Sequence, residues 1–181
     1  CEGEQLENVT SLLFEDNASA YLTGLIAGRM TETNKVGFIG GMESPVISKF
    51  DYGFRAGVKA ANPDAEVMVQ YANSFTDSAL GKTIANQMHS KNADIIFTCA
   101  GAVGIGAIEA AKENGKYAIG VDRDQSDLAP ENVLTSAIKR VDAGVFETVK
   151  SYVNGTFEGG TTTTYGRYIR FSWRNNYKVK E

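Results

Sequence analysis

The feature that most constrains this chain is an alternation between short apolar runs and segments with helical spacing. Apolar residues recur every four positions at Leu80, Ile84 and Met88, which is typical of a helix with one buried face. Similar stripes occur at Tyr21/Leu25/Ile26, Ile105/Ile108/Ala111 and Val141/Val145/Val149. Between these stripes, five runs have the composition of buried strands: residues 36–40, 66–71, 94–99, 117–121 and 133–138.

This alternation predicts an α/β fold. Strands that are separated by helices form a mostly parallel sheet, with helices packed on both of its faces. We therefore expect a three-layer α/β/α lobe with a mainly parallel five-stranded sheet in the order 2-1-3-4-5. Residues 1–160 form this lobe, and residues 161–181 form a linker and tail. The linker begins at Gly159, Gly160 and the threonine run 161–164, and residues 168–173 could form one further strand.

The composition excludes several functional classes. The net charge is −4, and lysine and arginine are spread along the chain, so no basic surface for nucleic acid is expected. No apolar run approaches the ~18 residues that span a membrane. Cys99 is predicted to be a buried free thiol, and the single histidine, His89, is expected to face solvent. No spacing predicts a metal site, a cofactor site or a catalytic triad, so the chain is not expected to be an enzyme.

Cys1 allows two interpretations. Bacterial lipoproteins are cleaved so that an acylated cysteine stands first, and the sequence begins at Cys1 rather than at Met. However, apolar structured sequence follows within about ten residues, and a lipid anchor usually has a longer flexible spacer. The alternative is that the sequence is cut from a longer one at a position that happens to be a cysteine.

The glycines at 101, 104 and 106 follow a predicted strand and open a helix. Their order is GxxGxG, whereas a dinucleotide-binding loop has GxGxxG, so that function is disfavoured. The favoured interpretation is a glycine loop that lets a ligand approach the backbone at Gly101. A tight turn with close helix packing remains the alternative.

Three further residues are candidates for ligand contact because ligands of parallel sheets bind beyond the carboxyl ends of the strands. Asp122 directly follows the fourth run, Lys139 directly follows the fifth, and Phe50 lies at the entry to the first crossover helix. Asp122 could instead cap a turn, and Lys139 could be a solvated lysine. Either Phe50 or Phe54 should pack on the sheet, and the other could offer its ring to a planar ligand.

Several segments together resemble the basic membrane protein family, which includes the purine nucleoside receptor lipoproteins of bacteria. They are FIGG (38–41), KFDYGFRAG (49–57), AGAVGIG (100–106), IGVDRDQ (119–125) and TSAIKRVD (135–142). The resemblance extends from about residue 9 to about residue 160. It implies a fold similar to type I periplasmic binding proteins, in which two lobes close around a ligand. This chain then corresponds to the C-terminal lobe, with most of the N-terminal lobe absent.

The resemblance also implies a function. Such receptors deliver a nucleoside, here a purine nucleoside, to an ABC importer. They lie at the extracytoplasmic face of the bacterial cell membrane, held by a lipid anchor, or in the periplasm. By resemblance, Phe50 stacks on the base, Asp122 and Lys139 hold the ribose hydroxyls, and Gly101 offers backbone contact.

Other functions remain open at this point. The ligand could be another planar or sugar-bearing molecule, such as a flavin or a pentose, or the lobe could serve as the sensor of a regulator. Because the surface that meets the other lobe would be apolar and exposed, a homodimer of this lobe is also a possible partner arrangement.

Overall fold

A computed structural model describes residues 6–166, and it contains all five predicted strands within one residue of their expected ends. In chain order the elements are β1 (Ser11–Phe14), α1 (Asp16–Met30), β2 (Lys35–Gly40), α2 (Pro45–Ala61), β3 (Glu66–Tyr71), α3 (Ser78–Ser90), β4 (Ile95–Cys99), α4 (Ala102–Glu113), β5 (Tyr117–Asp122), β6 (Val133–Ile138), α5 (Val141–Val153) and β7 (Thr162–Tyr165). Two sheets result, one of five strands and one of two.

The larger sheet has the strand order β3-β2-β4-β5-β6, and all its neighbouring strands are parallel. Counted among the five predicted strands alone, this is the expected order 2-1-3-4-5, so that prediction is confirmed. Because every strand runs in the same direction, all five carboxyl ends lie at one edge of the sheet. That edge carries the candidate site.

Helices cover both faces of the larger sheet, as predicted. On one face Phe38 and Phe97 pack against α1 and α2, with Phe54 fully buried between them. On the other face, Ile39 and Ile96 pack against α3 and α4, where the predicted stripe at Ile84 and Met88 is buried. Successive residues of a strand point to opposite faces, which is why β2 supplies Phe38 to one core and Ile39 to the other.

Glycines let the covering helices approach one another closely. A Cβ atom at Gly57 of α2 would lie 2.0 Å from the carbonyl oxygen of Tyr21 in α1. A Cβ atom at Gly106 of α4 would lie 1.9 Å from the carbonyl oxygen of Ser78 in α3. Both distances are far below van der Waals contact, so no larger residue fits. The close-packing interpretation of the 101–106 glycines is thus confirmed at Gly106.

A second, smaller unit lies beside the larger sheet. β1 pairs with β7 in parallel, from Ser11 opposite Thr162 to Phe14 opposite Tyr165. The helix α5 packs on this pair through Gly144, where a Cβ atom would contact Leu12, Phe14 and Tyr165 at ordinary distances of 3.4–3.5 Å. The linker prediction is therefore wrong at Thr162–Tyr165, because these residues find a strand partner at the other end of the sequence. The strand predicted at 168–173 lies outside the described residues.

The apolar stripe on α5 does not enter a core. Val145 is 49% exposed and Phe146 is 65% exposed, and their neighbours Val141, Val149, Tyr152 and Val153 are exposed as well. Gly144 is the buried residue of this helix. The stripe correctly predicted a helix, but it forms an open apolar face in the part of the chain that the structure describes.

Two single-residue predictions have opposite outcomes. Cys99 is a buried free thiol, as expected. His89 is buried, so the prediction that it faces solvent is wrong; the chain turns back after α3, and the imidazole Nδ1 lies 2.9 Å from the carbonyl oxygen of Ala93. In the described part of the chain, no helix has both the length and the apolar character needed to cross a membrane.

Candidate functional site

A cavity of about 260 Å³ lies at the carboxyl edge of the larger sheet. It is lined by all four candidate residues from the sequence: Phe50, Gly101, Asp122 and Lys139. These residues are far apart in sequence. The remaining lining residues are Val46, Ile47, Phe75, Cys99, Ala100 and Val121. The four candidate residues therefore lie together beyond the carboxyl ends of the strands, as their places in the sequence predict, while their roles toward a ligand stay predictions.

Asp122 and Lys139 are held next to each other by strand pairing. Asp122 is the last residue of β5 and lies opposite Ile138, the last residue of β6. The backbone N–H of Lys139 donates to the carbonyl oxygen of Asp122 at 2.8 Å. Asp122 has φ 66°, a left-handed conformation that is uncommon outside glycine, asparagine and aspartate. Aspartate is one of the residues that tolerate this conformation, which ends β5 and begins the turn at the cavity.

The surroundings of Asp122 disfavour its charge. Although much of the residue is exposed, protein atoms around the cavity partly bury its carboxyl group, and this burial raises its pKa. The ammonium of Lys139 lowers the pKa of Asp122 and the carboxylate of Asp16 raises it, but burial outweighs both. The carboxyl group is therefore partly buried by the cavity wall and still open enough to accept hydrogen bonds from a ligand.

Lys139 has two further partners. Its Nζ lies 3.2 Å from one carboxylate oxygen of Asp16 and 3.4 Å from the other. The same Nζ lies 5.1 Å from the centre of the Phe14 ring, close enough for a cation–π contact. The alternative that Lys139 is an ordinary solvated lysine is therefore wrong. Asp16 was not a candidate from the sequence, because 123 positions separate it from Lys139.

Gly101 occupies a position that requires glycine. Its φ is 58°, and a Cβ atom would lie 2.7 Å from the carbonyl oxygen of Phe75. That oxygen accepts a hydrogen bond from the N–H of Ala102 at 2.8 Å, which joins the 72–77 turn to the start of α4. The glycine thus brings two backbone segments together at the cavity wall.

Phe50 does not present an open ring face. It is 3% exposed, and its ring packs edge-on against Phe97 with 6.3 Å between ring centres. Phe54 is buried too, so the expectation that one of these two rings stays free for stacking is wrong. The helix α2 turns both rings toward the sheet, because Phe50 and Phe54 are four residues apart on one helical face.

Phe75 supplies the exposed aromatic ring that Phe50 does not. It is 40% exposed and lines the cavity beside Val46. Its ring packs on Gly41, where a Cβ atom would lie 2.1 Å from the ring. A phenylalanine inside the polar turn 73–77 was the available sequence signal, since an aromatic residue in a turn has no strand or helix face to bury it.

Comparisons with known proteins agree on the class of this lobe. Residues 2–174 match the family described as ABC transporter substrate-binding protein PnrA-like. Basic membrane protein A of Borreliella afzelii is 45% identical over 162 residues, which cover 88% of this chain and 50% of that protein. The chain thus spans about half the length of such curated relatives.

Two solved structures extend this likeness. A solute-binding protein of an ABC transporter system from Aeropyrum pernix K1 is 31% identical with a TM-score of 0.86, over 93% of this chain and 51% of that one. A transcriptional activator of the comK gene from Bacillus halodurans is 28% identical with a TM-score of 0.85, over 96% of this chain and 61% of that one. The same lobe thus occurs in a transport protein and in a regulator.

Proposed function

Because this chain belongs to the basic membrane protein family of PnrA-like ABC transporter substrate-binding proteins, we propose that it is the C-terminal ligand-binding lobe of an ABC importer's solute-binding component. In this proposal residues 1–160 form most of the lobe, and β7 (Thr162–Tyr165) completes its smaller unit. The family binds substrates without converting them, so the role is capture rather than catalysis.

The proposed ligand is a nucleoside, with a purine nucleoside as the first choice. The observation that carries this proposal is the placement of Asp122, Lys139 and an exposed aromatic ring around one cavity. A carboxylate accepts hydrogen bonds from two neighbouring ribose hydroxyls, and an ammonium donates to sugar oxygens. An aromatic face suits a planar base. A sugar joined to a base is the ligand that needs all three.

Phe75 is the proposed stacking residue in this lobe, and the buried Phe50 also lines the cavity. Phe75 is the more exposed of the two rings by a wide margin, at 40% against 3%. Gly101 would contribute backbone groups at the same wall. This arrangement covers one side of a ligand, so a second lobe must cover the other.

The proposed setting is the extracytoplasmic face of a bacterial cell membrane or the periplasm, with the importer's membrane subunits as partners. A lipid anchor at Cys1 is part of this proposal. The open apolar face of α5 is consistent with a second lobe that packs on the smaller unit. A homodimer through that face is the alternative, and sedimentation of the 181-residue chain distinguishes a monomer from a dimer.

The experiment that tests the ligand is calorimetry on a receptor with both lobes, using adenosine, adenine and ribose. Asp122→Ala should weaken adenosine binding roughly ten- to a hundredfold, the effect of one lost charge-assisted hydrogen bond. Adenine binding should change little, since adenine has no hydroxyls for Asp122. Arg123→Ala is a matched control, because Arg123 is adjacent in sequence but pairs with Asp127 away from the cavity. Equal losses for adenosine and adenine would contradict the ribose role of Asp122.

A second candidate function is the sensor lobe of a regulator. The likeness to the transcriptional activator from Bacillus halodurans favours it. Mass spectrometry of the protein from its own cells separates the two functions, because an acylated Cys1 supports the receptor and a DNA-binding segment on the same polypeptide supports the sensor. Mass spectrometry of the small molecules that the protein releases on denaturation would show whether its ligand is a nucleoside, a flavin or a pentose.

A further inference from the structure

The carboxylate of Asp16 is buried at the junction between the two units of the molecule. Asp16 is the first residue of α1 and follows β1 after a single residue. Its side chain is 6% exposed, and within residues 6–166 its ion-pair partner is Lys139. A buried carboxylate is costly without a partner, so the pair constrains both side chains.

A second carboxylate, that of Asp122, lies near Lys139 but does not form an ion pair with it. Asp122 is close enough for the ammonium of Lys139 to lower its pKa, and the backbones of the two residues are hydrogen-bonded. Nevertheless, among the described residues the ion pair of Lys139 is with Asp16 and not with Asp122. The ammonium lies instead between the Asp16 carboxylate and the ring of Phe14.

The orientation of Lys139 matters for binding. If Lys139 and Asp122 formed an ion pair with each other, neither group would be free to hydrogen-bond the hydroxyls of a sugar. In a partly buried cavity, opposite charges attract more strongly than in water. A lysine without Asp16 would therefore turn toward Asp122, and a ligand would have to break that pair before it could bind.

We infer that Asp16 is a positioning residue that holds Lys139 away from Asp122, so that both stay available to ligand hydroxyls. The inference deepens the proposed function and rests on it for its ligand arm. Asp16 does not itself contact the ligand. It acts through the orientation of the lysine.

A ligand-free experiment tests the orientation directly. The Asp122 carboxyl group is titrated by carbon-13 NMR in the 181-residue chain, in Asp16→Asn, in Lys139→Gln and in the double variant. Asp16→Asn should lower the pKa of Asp122, because a like charge is removed and because Lys139 moves closer. In the Lys139→Gln background, the same substitution should give a clearly smaller decrease. The same spectra give the pKa of Asp16 in each background, and the comparison is made where Asp16 is charged in both, so that the charge effect alone remains after Lys139→Gln. Equal decreases in the two backgrounds would overturn the inference.

The ligand arm uses adenosine and 2′,3′-dideoxyadenosine with the two-lobed receptor. Asp16→Asn should weaken adenosine binding roughly tenfold and leave the dideoxy compound nearly unchanged, because the dideoxy compound lacks the 2′ and 3′ hydroxyls that would accept from Lys139 and donate to Asp122. Glu15→Gln is the matched control, since Glu15 is the adjacent but exposed carboxylate. Equal weakening of both compounds would assign Asp16 a merely structural role. If the unmodified receptor binds no adenosine, the proposed nucleoside function fails, and the titration still decides the positioning role.

Discussion

The two sheets of this molecule differ in how completely they are covered. The five-stranded sheet is packed on both faces, and its central residues Phe38 and Phe97 are fully buried. The two-stranded sheet has one helix, α5, and that helix exposes Val145 and Phe146. Two strands rarely form a stable sheet by themselves. Within residues 6–166, therefore, the larger unit has a complete core of its own, whereas the apolar face of α5 is exposed.

The first prediction contrasts two phenylalanines. Phe97→Ala should lower the free energy of unfolding by about 3–5 kcal/mol, because it leaves a cavity in a fully packed core. Phe146→Ala should change it by no more than about 0.5 kcal/mol, since the ring is 65% exposed on α5. Urea denaturation measures both. A large loss for Phe146→Ala would mean that α5 is covered in solution, for example by a second copy of the chain.

The second prediction contrasts two helical glycines. Gly57→Ala should destabilise the fold by about 2 kcal/mol or more, because the new methyl group would meet the carbonyl oxygen of Tyr21 at 2.0 Å. Gly144→Ala should stabilise it by up to about 1 kcal/mol, because its methyl group would make ordinary contacts and alanine favours a helix. Thermal unfolding followed by circular dichroism gives the signs. The same sign for both variants would contradict the packing described for α1 and α2.

The third and smallest prediction concerns Asp122→Asn. Burial raises the pKa of Asp122, so the folded state favours the neutral form. The stability that protonation contributes is complete below the ordinary pKa of 3.8 and is lost as the pH rises through the raised value. At neutral pH a neutral asparagine should therefore stabilise the fold slightly, by no more than about 0.5 kcal/mol, because solvent screens the charge of this largely exposed residue and asparagine tolerates the positive φ as aspartate does. Urea denaturation at pH 7 measures this gain, and a loss of stability would show that the charge of Asp122 is well compensated.

The sequence predicted the larger unit well because its information is local. Each strand is an apolar run of its own, and the rule that ligands bind at the carboxyl ends of strands placed Asp122 and Lys139 correctly. The smaller unit could not be predicted in the same way. β1 and β7 are short, half-exposed and joined only by pairing across the length of the chain, from Ser11 to Thr162.

The candidate site shows the same division. Lys139 could be found from its place after a strand, but its partner Asp16 could not, since nothing near either residue indicates the pair. Phe50 is the ring that its place at the entry to the first crossover helix and the family resemblance indicate, whereas the structure exposes Phe75. Spacing alone does not show which aromatic ring a helix turns into the core and which ring a turn leaves exposed.

An NMR titration of the isotope-labelled 181-residue chain with adenosine tests whether a nucleoside binds at the carboxyl edge of the larger sheet. We expect the backbone amides of Phe75, Gly101, Asp122 and Lys139 to shift together, while those of α5 stay in place. Because one lobe covers one side of the ligand, the dissociation constant should lie in the millimolar range. This corresponds to a binding free energy of about −4 kcal/mol. Submicromolar binding would contradict the need for a second lobe. Shifts confined to α5, or none at saturating adenosine, would contradict the assignment of the nucleoside site to the edge of the larger sheet.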